Sequence, residues 1–332
     1  RDYFFGLELP DSKNIFRRSK IKTIMRNEHI KKELIGVKAD VGSGGFVKLL
    51  DVMGDDAAVV EAARISTTDE QKTSKEDERT IWYMMEHQHG TPFEMCELKF
   101  HVRMTLETMR QWVRHRTASI NEYSQRYREA INECESVMPG EWRVQSKSNR
   151  QGSDGFLDVE IGEILSAEQA ESQIKAREVY EGRLDKGVAK EQARRDLPLS
   201  TYTEIYWKID LRNLLHFLHL RMHVDAQLEI RQFATSMYET FVKPLFPVTC
   251  AAWENFVRDA VTFSAQEVAF LKRLIAGLAY QRVDISEVGT VPNTEYHINE
   301  TLQESALIDE NGNISPRKRK ALENKLALIG IR

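Results

Sequence analysis

Between Met95 and Met104 the chain reads MCELKFHVRM, with Cys96, Leu98, Phe100, Val102 and Met104 at every second position. Successive side chains of a strand point to opposite faces, so this run describes a strand with one apolar face to bury and one polar face toward water. The residues that follow, TLETMRQWVRHR, return to helical spacing. The succession recurs further on. TYTEIYWKID is rich in β-branched and aromatic residues and reads as a strand. It feeds LRNLLHFLHLRM, where Leu211, Leu214, Leu215 and Leu218 mark one apolar helix face. Strands and helices that each bury one face pack in layers, so the expected fold is α+β: a small mixed or antiparallel sheet with several long helices.

Around these elements, FVKLLDVM (46–53) reads as a strand and DDAAVVEAARIS (55–66) as a short amphipathic helix. Ser74 with Asp77 resembles a capping box. It opens a helix whose Ile81, Met84 and Met85 face the core and which Gly90 stops. Residues 1–45 form a polar N-terminal extension ending in VGSGG, a flexible hinge by composition. The GSGG lacks the Lys-Ser/Thr of a P-loop, and it precedes a strand where a dinucleotide fingerprint would follow one. Residues 133–165 carry no clear periodicity and read as an inserted surface loop. Ser166 and Gln169 begin a further capped helix that runs to about Lys186 and ends at Gly187. AQLEIRQFATSMYETFVK is another long helix, halted by Pro244. The expected domains are therefore 46–265, with its insertion, and a helical, charged C-terminal extension over 266–332.

Of the 332 residues, 41% are hydrophobic and 30% charged, which fits a globular protein, and the net charge is only −4. A chain that grips long nucleic acid is usually basic, so any anion site is expected to be local. The three cysteines, Cys96, Cys134 and Cys250, lie far apart with no C-x-x-C pair. That pattern suits a reducing cytoplasm and argues against disulfides or a thiolate metal site. His216, His219 and His223 could share a helix face, but no carboxylate or cysteine accompanies them as a fourth ligand, and no metal is expected. No apolar run is long enough for a membrane span. The basic PRKRK at 316–320 reads as a solvated helix face.

One stretch runs against the acidic balance. RHRTASINEYSQRY, Arg114–Tyr127, holds three arginines and a histidine among Ser119, Asn121, Ser124 and Gln125, too polar for a core helix. Gln111, Arg114 and His115 fall at helical spacing, and Glu122, Ser124 and Arg126 alternate as an extended segment would. Arginine forks bind phosphate through paired hydrogen bonds, which hydroxyls and backbone N–H groups complete. On these residues alone the reading is a site for a phosphorylated small molecule, with a surface salt-bridge network as the alternative.

RHRTASINEYS also resembles the signature of the flavin-dependent thymidylate synthases: Arg-His-Arg, seven residues, then Ser, here Arg114, His115, Arg116 and Ser124. EAARIS and HGTPFE upstream, and ARRDLPL, LRNLLHFLHLR and AQLEIRQFA downstream, occur in that family's order. The resemblance covers residues 46 to 260 and implies conversion of dUMP to dTMP. Methylenetetrahydrofolate would be the carbon donor, FAD the hydride carrier and NADPH the reductant. It implies a homotetramer with active sites shared between subunits, and neither nucleic acid nor membrane as partner. Carried over position by position, the flavin would be held by Ser66, Thr91, Arg114, His115, Arg116, Glu122, Asp210, Arg212 and His216. The nucleotide would lie against Gln111, Arg114, Glu122, Ser124, Arg126, Arg194 and Arg221.

The resemblance further implies that Arg221 is catalytic, polarising the pyrimidine edge where negative charge develops. No cysteine nucleophile is required, because the cofactor carries the hard step. Asp210 stands where some relatives have asparagine, and Asp225 where a histidine is often found. A competing reading is a non-catalytic nucleotide- or RNA-binding protein, which would have no use for matching Arg194 and Arg221 far from the cluster.

Overall fold

The computed structural model describes residues 27–65, 74–147, 152–272, 320 and 324–326. The chain divides into two compact units, Arg1–Arg258 and Asp259–Arg332. In the first, helix α1 (Glu28–Leu34) leads into strands β1 (Lys38–Val41) and β2 (Gly45–Met53), followed by α2 (Asp56–Arg64) and α3 (Ser74–Glu86). Strand β3 (Glu97–Thr105), α4 (Leu106–Trp112) and β4 (Ser119–Glu122) come next, then β5 (Arg143–Gln145) and β6 (Ser153–Phe156). Helix α5 (Val159–Asp185) and the short α6 (Lys190–Ala193) precede β7 (Tyr202–Asp210) and α7 (Leu211–Arg221). Helices α8 (Leu228–Met237), α9 (Lys243–Leu245) and α10 (Pro247–Trp253) close the unit.

The main sheet is antiparallel in the order β1-β2-β3-β7-β4. Its register follows from burial. Leu98, Phe100 and Val102 of β3 stand opposite Ile209, Trp207 and Ile205 of β7, all buried. On the other face Arg103 and His101 stand opposite Glu204 and Tyr206, and His101 Nε2 lies 2.8 Å from Glu204 Oε2. Sliding either strand by one residue would exchange these faces, which is why the alternation specifies the pairing. The apolar face is covered by helices carrying Trp112, Phe217, Phe241 and Phe246, all buried in one cluster. Buried Asp56 accepts from the N–H groups of Val248 and Thr249 at 2.8 and 3.0 Å, capping α10 from a distant part of the chain.

Several local readings change. The glycines of VGSGG are no hinge: Gly42, with φ +62°, turns β1 into β2, and residues 27–45 belong to the same unit as the sheet. Segment 133–165 is not a plain loop but a two-stranded hairpin, β5–β6, followed by the first turns of α5. That helix begins at Val159. Ser166 and Gln169 lie inside it and hold the insertion instead: Ser166 Oγ accepts from Trp142 Nε1 at 2.9 Å, and Gln169 Oε1 from Val137 N at 2.9 Å. Its end is as read, with Gly187 at φ +79° closing the last turn. Helix α3 ends before Gly90, because Gln88 takes the left-handed conformation and His89 N–H closes on Met84 O. Pro244 does not halt the helical run. A wider π-helical turn, Tyr238–Val242, delivers it to the first turn of α9, where no intrahelical N–H is needed.

In the second unit residues 265–272 are helical, and Glu267 pairs with Lys325 at 2.8 Å. PRKRK lies outside the described residues except for Lys320. No helix among the described residues is long and apolar enough to cross a membrane.

Candidate active site

Two strand-to-helix junctions position the site, and neither has a linker. Thr105, the last residue of β3, caps α4 by accepting from Thr108 N–H, and Asp210, the last residue of β7, caps α7 by accepting from Asn213 N–H at 2.9 Å. Such caps satisfy N–H groups that the first helical turn leaves unpaired. Because β3 and β7 are antiparallel, with Glu97 opposite Asp210 and Thr105 opposite Tyr202, the two helices leave the sheet at opposite ends. Helix α7 then runs back over the apolar face, where Phe217 packs on Trp207 and Trp112 with ring centroids 5.0 and 4.8 Å apart. Its last residue, Arg221, thereby arrives at the C-terminal end of α4.

There Arg221 Nε donates to His115 Nε2 at 2.9 Å, and its Nη2 to the Gln111 carbonyl at 3.4 Å. Accepting that hydrogen bond requires an unprotonated Nε2, so the proton of His115 sits on Nδ1. Burial first, then the charges of Arg221 and His216, push the His115 pKa down to about 4. The ring is further held edge-on to Phe217 at 4.8 Å, with His216 6.5 Å away. Burial and neighbouring Arg114 lower the pKa of Arg221, and a guanidinium still remains charged. Gln111, Arg114, His115, His216 and Arg221 thus form one group.

The remaining sequence-predicted residues fall elsewhere on the chain. Thr91 begins a 3-10 turn, Thr91–Met95, against the start of α7, and Arg212 Nη1 pairs with Glu94 of that turn at 2.5 Å. Asp210 has its two carboxylate oxygens on Asn213 N and Nδ2. Glu122, on edge strand β4, accepts from the buried Thr203 hydroxyl at 2.9 Å. Beyond Glu122 the chain leaves the sheet, so Ser124 and Arg126 sit in a turn, not on an extended segment. Arg126 Nε lies 3.1 Å from Glu191, and Arg194 starts the 3-10 turn that follows α6. Ser66 lies outside the described residues. Among the described residues no His, Cys, Asp or Glu cluster is placed to hold a metal ion.

Residues 48–248 match the model of the thymidylate synthase complementing protein family. A flavin-dependent thymidylate synthase of Thermus thermophilus is 45% identical over 246 residues, covering 74% of this chain and 88% of that protein. One of Gluconobacter oxydans is 45% identical over 238 residues, covering 70% and 78%. The chain belongs to the flavin-dependent thymidylate synthase family. Its fold is also that of a solved relative, the UMP/dUMP methylase PolB of Streptomyces cacaoi bound with 5-Br dUMP. That chain superposes with a TM-score of 0.60 at 35% identity, over 66% of this chain and 99% of its own.

For a member of this family the donor set fits an anionic nucleotide cofactor. Arg114 and Arg116 are exposed, and neither pairs with a carboxylate among the described residues. Gly90 leaves room for Arg212, since a Cβ there would stand 2.3 Å from its Nε. Two residues escaped the sequence reading of function. Thr203, fully buried on β7, orients Glu122; nothing in its own sequence context distinguishes it from a core threonine. Gln227 accepts a hydrogen bond from the Gln111 amide, and its signal was its place in AQLEIRQFA.

Proposed function

We propose that this protein is a flavin-dependent thymidylate synthase that methylates dUMP to dTMP. In this reading FAD is the flavin, NADPH the reductant and methylenetetrahydrofolate the carbon donor. The enzyme is a cytoplasmic homotetramer with active sites shared between subunits. Thr91, Arg114, His115, Arg116, Glu122, Asp210, Arg212 and His216, with Ser66, hold the flavin. Gln111, Arg114, Glu122, Ser124, Arg126, Arg194 and Arg221 hold dUMP. The observation that carries the reading is the hydrogen bond between Arg221 and His115, which joins the two most telling motifs of the chain at one point.

When bound, the flavin supplies the hydride. Arg221 keeps the N–H groups that His115 and Gln111 do not use, and turns them to the pyrimidine edge, where they favour loss of the N3 proton and stabilise developing negative charge. His115 serves this role by staying neutral, since a protonated ring would repel the guanidinium it accepts from. Arg114 and Arg116 meet phosphate oxygens with paired donors. Thiolate chemistry finds no support at Cys96 or Cys250. Burial pushes the Cys96 thiol up to about 12 and raises Cys250 further, so both stay protonated at neutral pH.

The test is tritium release from dUMP labelled at C5, with NADPH and methylenetetrahydrofolate, with and without added FAD. Release that requires flavin, with dTMP as product, is the expected result. A colourless protein that releases no tritium even with FAD supplied would overturn the proposal.

A further inference from the structure

We propose that Gln227 is a positioning residue for the uracil nucleotide, acting through Gln111; the inference rests on the reading of this site as a dUMP site. Gln111 is gripped from two sides. Its carbonyl accepts from Arg221, the last residue of α7, and its side-chain Nε2 donates to Oε1 of Gln227, the residue before α8. Both ends of the α7–α8 connection therefore close on the same residue of α4.

The connection between them has bonds of its own. Ala226 N–H meets His223 O at 2.9 Å, and Arg231 Nη1 holds the Val224 carbonyl at 2.9 Å. The middle of the connection, His223–Asp225, is exposed, with Val224 at 73%. Gln227 stands at the N-cap of α8, yet its side chain makes no capping bond there, and the helix uses its backbone carbonyl, on Arg231 N–H at 3.1 Å. The Gln227 side chain is thus spent on Gln111 and not on the helix.

A glutamine loses much rotamer freedom when a ligand immobilises it, and a partner that fixes it beforehand removes that cost from binding. Gln227 does so for Gln111. The Gln111 Nε2 is committed, while the Gln111 Oε1, with no hydrogen-bond partner among the described residues, is held out as an acceptor. The effect belongs to nucleotide binding. The charge that Arg221 directs at the ring is set by its bonds to His115 and the Gln111 backbone, which a change of the Gln227 side chain leaves in place.

The experiment is a double-mutant cycle with Gln227→Met, Gln111→Met and the pair, measured as dUMP binding to the flavin-loaded enzyme by calorimetry, with steady-state rates beside it. Methionine keeps the length and apolar volume but neither donates nor accepts strongly. Gln227→Met should keep its Tm and flavin content, weaken dUMP binding about five- to tenfold and leave the saturated rate within about twofold. In the Gln111→Met background the same change should cost nothing more, because its route has been removed. Additive losses in the cycle, or unchanged dUMP affinity in Gln227→Met, would overturn the inference. If Gln227→Met does not fold, Gln227→Ala takes its place in the same cycle with the same expected coupling. Wild-type enzyme that fails to bind dUMP would instead reject the reading of the site itself.

Discussion

A guanidinium N–H aimed at His115 Nε2 and a ring half-buried against Phe217 both oppose protonation of the histidine. Its native pKa of about 4 lies below the ~6.5 of an unfolded chain. Between those values the unfolded chain takes up a proton at this residue that the native protein does not, so the histidine's contribution to stability falls as pH drops from about 6.5 to about 4 and is constant above that window. In the variant His115→Gln the new side chain could still accept from Arg221 but cannot titrate. Urea unfolding should therefore show the two proteins diverging only below about pH 6.5, with the variant losing less; a pH-independent difference would discount the histidine. Arg221 calls for a kinetic test. Arg221→Lys keeps the charge but loses the fork that bonds His115 and Gln111 together, so fold and flavin should survive while turnover falls on the order of a hundredfold. An unchanged rate at saturating dUMP would leave Arg221 as an anchor for the substrate alone.

Elements matter here chiefly through their ends. Thr105 and Asp210 each finish a strand and cap a helix, so α4 and α7 inherit their directions from the sheet, and the residues at their far ends meet. A second approach, between the Thr91–Met95 turn and the start of α7, depends on Gly90. Its φ of −79° suits any residue, but an added Cβ would press on the Arg212 guanidinium. Gly90→Ala should thus fold with a Tm within a few degrees of wild type, since the Arg212–Glu94 pair it disturbs is exposed and worth about 0–1 kcal/mol. Flavin retained through purification should fall several-fold. Full occupancy would mean that Arg212 does not serve the cofactor.

At the scale of the molecule, one chain presents its site residues in separate sets. Arg221 lies with His115 and Gln111, Arg212 with Glu94, and Arg126 with Glu191, and no hydrogen bond or ion pair joins these sets among the described residues. In the proposed homotetramer with shared sites, the sets that complete one centre would come from different subunits. Two impaired variants, Arg221→Lys and Arg126→Ala, should then regain part of the wild-type rate when unfolded and refolded together, because some mixed sites receive both intact residues. A mixture no more active than its components would place each centre within a single subunit.

The central strands were legible in the sequence because burial on one face imposes a period of two on the residues themselves. Leu98 to Met104 carry that period locally, and the leucines of α7 carry the helical one. The RHR cluster was legible because its charge has no use in a core. Strand β4 was not, since all four residues of Ser119–Glu122 are exposed and no alternation marks it. Nor was β1, where only Val41 is buried and the turn glycines imitate a hinge. The polar Ser166 and Gln169 imitated a helix start because caps and tertiary staples use the same side chains. Only the tertiary structure decided that Arg221 would end on His115 and that Gln111 would be held by Gln227. Those contacts span 106 and 116 residues, and they exist because α7 is laid across the sheet by packing of Phe217 on Trp207 and Trp112, a relation that no local spacing encodes.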